Sequence, residues 1–298
     1  MASGMIPTAD GPKLTLRCLT PRNKALTLHD MDLPKAYVTT LTSMMHKRQG
    51  GIIITGPMGS GKSSLVYALL EEIDRVARNV HSIEDPVEFS QDFVSKTQAQ
   101  PDIETVAGSG IKLDYAYYCK ETLRHDVDIS NIGEIRDTAT AKEVCRKAET
   151  GGLALATLHT NSAIGVPQTL IQQLHMPSAI IGAPDLMAMF VHVKLVRKLC
   201  RCAFSYDQHD SKEVIDAYTD TKQLDTLQLK VAQLQKLFSD SKQLGNAKIL
   251  NPLGCEHCKS NEGTLGEKGR LVVMEMILLD DEDRKFIINE DDLAGKPT

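Results

Sequence analysis

Between Gly50 and Leu70 (GGIIITGPMGSGKSSLVYALL) an apolar run stops at a glycine-rich turn and restarts with helical spacing. Ile52, Ile53 and Ile54 form the β-branched run that a strand covered on both faces requires, and Ser64 to Glu72 contains neither glycine nor proline. The pattern predicts strand, loop and helix. Downstream, strands are expected at Asn79 to Ile83, Val94 to Thr97, Val127 to Ile132, Leu153 to Leu158 and Gly266 to Leu279. Helices are expected at Ile111 to Arg124, Thr138 to Thr150, Ser162 to Leu174 and Pro184 to Lys198. Tyr218 to Phe238 carries Leu224, Leu227, Val231, Leu234 and Leu237 at spacings of three and four, a single amphipathic helix by pattern. Upstream, Lys13 to Cys18 alternates as a strand, Thr20 to Lys24 reads as a turn and Leu33 to His46 as a helix. Strands alternating with helices define an α/β fold around a mainly parallel sheet.

The glycine-rich turn carries the first chemistry. Gly56-x4-Gly61-Lys62-Ser63 has P-loop spacing, in which successive backbone N–H groups (Gly59, Ser60, Gly61, Ser64) and a helix N-terminus face phosphate oxygens while a lysine neutralises them. The Ser63 hydroxyl would complete a Mg2+ shell. Three acids, Glu84, Asp85 and Glu88, follow the second strand, at the sheet edge where open α/β folds collect ligands. They read either as a solvated turn before proline or as the carboxylates that hydrolysis needs to orient and deprotonate water. Glu134 follows the next strand, whose Ser130 and Asn131 are unusual for a buried strand. His159 ends the strand after that; spacing alone leaves it either structural or a γ-phosphate sensor.

Composition narrows the class. The 298 residues carry a net charge of -5 and no long basic cluster, so no nucleic-acid partner is expected, although a ring could hide a basic channel. No stretch reaches the roughly 20 apolar residues of a membrane span, and the N-terminus lacks signal-peptide character, so a cytoplasmic location is expected. Seven cysteines in a reducing compartment are thiols or metal ligands. Cys200-x-Cys202 and Cys255-x-x-Cys258 together offer four thiolates for a structural tetrahedral Zn2+, with His257 a substitute ligand and four reduced thiols the alternative.

Taken in order, Gly56 to Ser63, Ile83-Glu84-Asp85-Pro86-Val87-Glu88, Gly133-Glu134-Ile135-Arg136-Asp137, and Ala148 to Gly151 running into Thr157 to Ser162 resemble the four boxes of the secretion ATPase superfamily, the hexameric motors of type IV pili and type II secretion. The paired cysteines resemble the pilus-assembly and type II secretion branch. The resemblance implies a P-loop (RecA-like) ATPase domain that binds ATP and Mg2+ and carries a small cysteine-rich zinc subdomain. It implies Lys62 on the outer phosphates, Ser63 on Mg2+, Glu88 as general base, Glu134 in the Walker B position, and Glu84 and Asp85 as the remaining acids. His159 becomes the second histidine of the histidine box, and Arg124 and Arg136 become charge stabilisers in cis or across a subunit boundary. Gly152 stands where family members usually carry a histidine, and Lys120 where an arginine is common.

The expected organisation is residues 1–48 as the end of an upstream domain with its linker, 49–199 as ATPase core, 200–260 as the zinc insertion, and 261–298 as final strand and solvated acidic tail. The implied function is an ATP-hydrolysing motor at the cytoplasmic face of the inner membrane, a homo-hexamer acting on a membrane platform protein of a pilus or secretion apparatus and associated with the membrane through its partners. The alternatives are a DNA-translocating hexamer and a hydrolysis-deficient nucleotide-binding scaffold.

Overall fold

The computed structural model describes residues 2–8, 11–17, 26–88, 90–238, 244–259 and 265–289. It divides into two compact units, residues 1–194 with 272–298, and residues 195–271.

In the larger unit, strands β1 (Ala2–Thr8) and β2 (Gly11–Arg17) form an antiparallel hairpin of which only the second strand is expected from pattern. Helix α1 (Lys35–Met45) precedes β3 (Gly50–Thr55) and α2 (Lys62–Glu71). Then come β4 (Val80–Glu84), β5 (Val94–Gln98), the short pair β6 (Gln100–Glu104) and β7 (Lys112–Leu113), α3 (Tyr115–Thr122), β8 (Ile129–Ile132), α4 (Thr138–Glu149) and β9 (Leu153–Leu158). Helices α5 (Gly165–Gln168) and α6 (Ser178–Ile181) lead to β10 (Met187–Leu199), which runs on into the smaller unit. The smaller unit holds β11 (Phe204–Ser205), α7 (Lys212–Asp220), α8 (Leu224–Leu237) and β12 (Lys248–Ile249), and β13 (Glu267–Leu278) returns to the larger one.

The central sheet has the order β13-β10-β3-β9-β8-β4-β5, and the six strands from β10 to β5 are mutually parallel. Ile52, Ile53 and Ile54 are all fully buried because helices cover both faces, which is why β3 can be apolar at every position. Ile53 packs with Ala141, Val144, Cys145 and Ala148 of α4, whereas Ile52 and Ile54 pack with Leu65, Leu69 and Leu41 of the opposite layer. Asp137 caps α4 by accepting from the Thr140 N–H at 2.7 Å, and Gly151, at φ +93°, ends it.

Three expectations are corrected. Pro184 to Lys198 is not a helix: Met187 to Val193 are all buried, a continuous apolar run that periodicity cannot separate from a buried helix, and they enter the sheet beside β3 as β10. Helix α3 starts only at Tyr115, because Asp114 caps it while Lys112 and Leu113 pair with β6. Tyr218 to Phe238 breaks in two around Lys222, which takes a left-handed φ of +57°. Asp280, Asp281 and Glu282 are exposed, as expected of a solvated acidic segment, and they also start a helix: Asp280 accepts from the Glu282 and Asp283 N–H groups, both at 2.8 Å, and caps Asp281–Ile288, whose acidic first turn suits its positive end. The expected turn at 20–24 and the tail beyond residue 289 lie outside the described residues.

Candidate functional site: a nucleotide crevice at the strand ends

The loop after β3 is shaped for a phosphate. Gly56, Gly59 and Gly61 take φ of +151°, +73° and +95°, conformations that favour glycine. A Cβ on Gly56 would collide with the Val193 carbonyl, midway along β10, and stand 2.6 Å from Ser60 Oγ. Gly61 hands the chain to α2, whose free first-turn N–H groups face the loop. Lys62 Nζ folds back to donate to the carbonyls of Gly56 (2.7 Å) and Pro57 (3.1 Å), and burial lowers its pKa, partly offset by Glu134. Ser60 Oγ is buried without a hydrogen-bond partner among the described residues. An orphaned hydroxyl and a lysine whose short contacts are to loop carbonyls fit a cradle for phosphate oxygens.

Sheet order decides what Lys62 meets. Strand β9 lies between β3 and β8, so His159 at its end stands between the lysine and Glu134. His159 Nδ1 is 3.5 Å from Lys62 Nζ, and its Nε2 is 3.0 Å from Glu134 Oε1. Arg136 Nε donates to Glu134 Oε2 at 2.7 Å, and its NH1 group donates to Asp85 Oδ2 at 3.2 Å. Lysine, histidine, glutamate, arginine and aspartate thus form one chain of contacts across β3, β9, β8 and β4, and the Arg136 guanidinium lies 5.6 Å from the centre of the Tyr115 ring. Tyr115 presses on Gly133, where a Cβ would stand 2.9 Å from both the phenol oxygen and the Ile83 carbonyl. Ser63, exposed in the first turn of α2, and Glu134 are the groups that would hold Mg2+.

Glu84 and Arg124 stand apart from this chain, and the Glu88 backbone meets the Tyr67 phenol instead. Glu84 is only 5% exposed and turned into the sheet, where Tyr67 and Ser82 donate to it (Ser82 at 2.6 Å) and Lys96 Nζ lies 3.0 Å away. Arg124, at the end of α3, pairs with Glu121 at 3.2 Å. The polar strand residues find their reason here: Asn131 Nδ2 donates to Ser82 Oγ at 2.7 Å, so β8 carries an amide because β4 carries a buried carboxylate network. Sequence reading missed Tyr67, Ser82 and Lys96; polar residues facing each other in two buried strands were the available signal.

The smaller unit gathers Cys200, Cys202, Cys255 and Cys258 with all four Sγ atoms within 4.8 Å of one another. Cys200 to Cys255 is 3.8 Å, Cys255 to Cys258 3.9 Å and Cys202 to Cys258 4.0 Å, close to the roughly 3.8 Å edge of a tetrahedron with 2.3 Å Zn–S bonds. The Cys255 N–H (3.0 Å) and the Gly266 N–H (3.4 Å) point at Cys258 Sγ and pull its thiol down to about 6, as a ligand thiolate requires. His257 instead faces Lys268 Nζ at 3.2 Å.

A parallel sheet with a glycine-rich loop and helix N-terminus at one edge, acids on the neighbouring strand ends and a lysine among them is the arrangement of a P-loop nucleotide-binding domain. The family description "Type II/IV secretion system protein" matches residues 2–295, and the chain belongs to that family, the secretion ATPase superfamily. The chain is 30% identical over 283 residues to the putative type II secretion system protein E of Escherichia coli K12, covering 95% of this chain and 50% of that protein. It is 32% identical to the type IV pilus assembly ATPase PilB of Thermus thermophilus, covering 98% of this chain and 28% of that one. The chain therefore spans about half the length, or less, of these curated relatives. A crystal structure of the pilus retraction motor PilT with bound ADP shares the fold, with a TM-score of 0.57 and 18% identity over 96% of this chain and 62% of that one. The DotB ATPase of Legionella pneumophila does so at 0.51, with 20% identity over 78% of this chain and 64% of that one. Among the described residues, no helix is long and apolar enough to cross a membrane.

Proposed function

We propose that this chain is the ATP-hydrolysing part of a motor for pilus assembly or protein secretion, and the observation that carries this is the Lys62–His159–Glu134–Arg136–Asp85 chain along the nucleotide edge of the sheet. Loop N–H groups and Lys62 bind the phosphates, with Lys62 exchanging its loop carbonyls for phosphate oxygens. Mg2+ held by Ser63 and Glu134 would neutralise charge on the transferred phosphoryl group. Glu88 takes the proton of the attacking water, and His159, between Lys62 and Glu134, is the group placed to register the outer phosphate. Assembly into a hexamer, action on a membrane platform protein and residence at the cytoplasmic face of the inner membrane belong to the same reading, supported by relatives named for type II secretion and type IV pili. Zinc in the cysteine cluster is part of it.

Ser130, Asn131 and Gly152 are the features that would favour a hydrolysis-deficient scaffold instead. Asn131 has work in the Glu84 network. Gly152 opens β9 while His159 follows its far end, about 23 Å away at strand rise, so a histidine at 152 would not reach this crevice.

The test is Mg2+-dependent ATP turnover by the purified chain, with its mass measured with and without a non-hydrolysable analogue. Lys62→Ala should weaken nucleotide binding, whereas Glu88→Gln should spare binding and abolish turnover. Nucleotide binding and turnover that neither substitution alters would refute the reading.

A further inference from the structure

Tyr67 lies on α2, five residues beyond Lys62, and its side chain is buried in the layer between that helix and the acidic segment after β4. Its hydroxyl donates to Glu84 Oε2, and the backbone N–H of Glu88 acts on the same phenol oxygen. Its own carbonyl accepts from Gln91 Nε2 at 3.2 Å, and that amide also donates to Glu71 Oε1 at 2.8 Å. Glu84 and Gln91 are therefore each tied to the P-loop helix. Lys96 closes the arrangement, with Nζ 4.1 Å from the centre of the Tyr67 ring and 3.0 Å from Glu84 Oε1.

We propose that Tyr67, assisted by Gln91, is a positioning residue that holds the backbone of Glu88 against the P-loop helix, so that the helix that binds phosphate also sets the place of the base. The inference rests on the reading of Glu88 as the general base. Direction in this network is fixed by chemistry. Burial, then the neighbouring Glu84, push the phenol pKa well up, so the hydroxyl stays protonated across the physiological range. Its proton goes to the carboxylate, which can only accept, and its lone pair remains for the Glu88 N–H. Lys96, 3.0 Å from Glu84 Oε1, holds the carboxylate independently of Ser82, so the phenol keeps its acceptor when the serine is removed. A base displaced by an ångström loses on the order of 100-fold in rate without losing substrate affinity, because the phosphates are bound elsewhere.

The test compares Tyr67→Phe with Ser82→Ala, which takes a different hydrogen bond from the same carboxylate and touches neither Glu88 nor α2. Two readouts are needed: kcat and KM for ATP, and amide hydrogen exchange of the Glu88 segment without nucleotide. Tyr67→Phe should lower kcat about 10- to 100-fold with KM changed less than about 2-fold. It should also speed exchange at the Glu88 amide by about 10-fold or more, and Ser82→Ala should do neither. Unchanged exchange in Tyr67→Phe, faster exchange with unchanged kcat, or an equal effect of Ser82→Ala would each overturn the proposal. Should Tyr67→Phe fail to fold, the same readouts on Gln91→Ala decide, with a smaller change in the same direction expected. A parent chain without Lys62-dependent turnover fails the ATPase reading instead, and the exchange arm still decides whether Tyr67 holds Glu88.

Discussion

The side chain of Lys147, on α4, lies where any side chain at position 152 would have to go. A Cβ on Gly152 would collide with the lysine's Cε and Nζ, and that ammonium is engaged, donating to the Val127 carbonyl at the end of the loop before β8. The two positions form a complementary pair: a side chain at 152 needs Lys147 to leave its place.

Gly152→His should therefore cost about 1–3 kcal/mol, the range for expelling a buried lysine and orphaning a carbonyl. In a Lys147→Ala background the same substitution should cost little further. A double-mutant cycle by denaturant unfolding reads the coupling; additive effects would contradict the pairing.

Gly56→Ala tests the shape of the phosphate loop. The added methyl meets the Val193 carbonyl and Ser60 Oγ at a left-handed φ, so the loop must move away from β10. Stability should fall by about 1–3 kcal/mol and nucleotide affinity at least tenfold. Thermal unfolding and a fluorescent-nucleotide titration measure the two. Gly59→Ala, where a Cβ meets nothing within 4 Å, should hurt stability less.

Arg136 holds two acids at once, so Arg136→Ala should release both Glu134 and Asp85. Turnover is expected to fall about 10- to 100-fold with a raised Mg2+ requirement, while ATP affinity changes little. Arg136→Lys should not restore it, because one ammonium cannot span both carboxylates. A Mg2+ titration of kcat separates this from loss of the fold.

The cysteine cluster predicts one Zn2+ per chain by elemental analysis. Cys258→Ser should lose the metal and selectively raise hydrogen exchange across residues 195–271, since metal affinity is folding free energy for so small a unit. A purified chain whose residues 195–271 stay protected with no metal would refute it.

His81 gives a pH signature. Burial, then repulsion from His125, hold its pKa below the ordinary value, and its Nε2 sits 2.8 Å from Thr97 Oγ1. The unfolded chain then binds a proton near pH 6.5 that the folded chain refuses. Stability should be intact above that pH and decline as pH falls below it towards the lower folded value. His81→Gln should flatten this limb of a Tm-against-pH curve; an unchanged slope would assign it to other groups.

Local pattern was enough for much of this. P-loop spacing and the strand ends at Glu84, Glu134 and His159 depend on residues within a few positions of each other, and they stand where the chain itself predicts them. Met187 to Val193 did not, because burial on both faces erases the period that separates helix from strand. Lys222 turned one amphipathic stripe into two helices through a single left-handed residue.

The sequence by itself determined that a strand, a glycine loop and a helix would cradle phosphate, and that acids and a histidine would arrive at strand ends. Only the tertiary structure decided their neighbours. In the chain the order is Lys62, Asp85, Glu134, His159; in the sheet, β9 inserts between β3 and β8 and makes it Lys62, His159, Glu134, Asp85. Hydrogen bonding between strands far apart in sequence sets that order, so no local pattern encodes it. The same reordering turned Glu84 from a crevice acid into the buried anchor that Tyr67, Ser82 and Lys96 share.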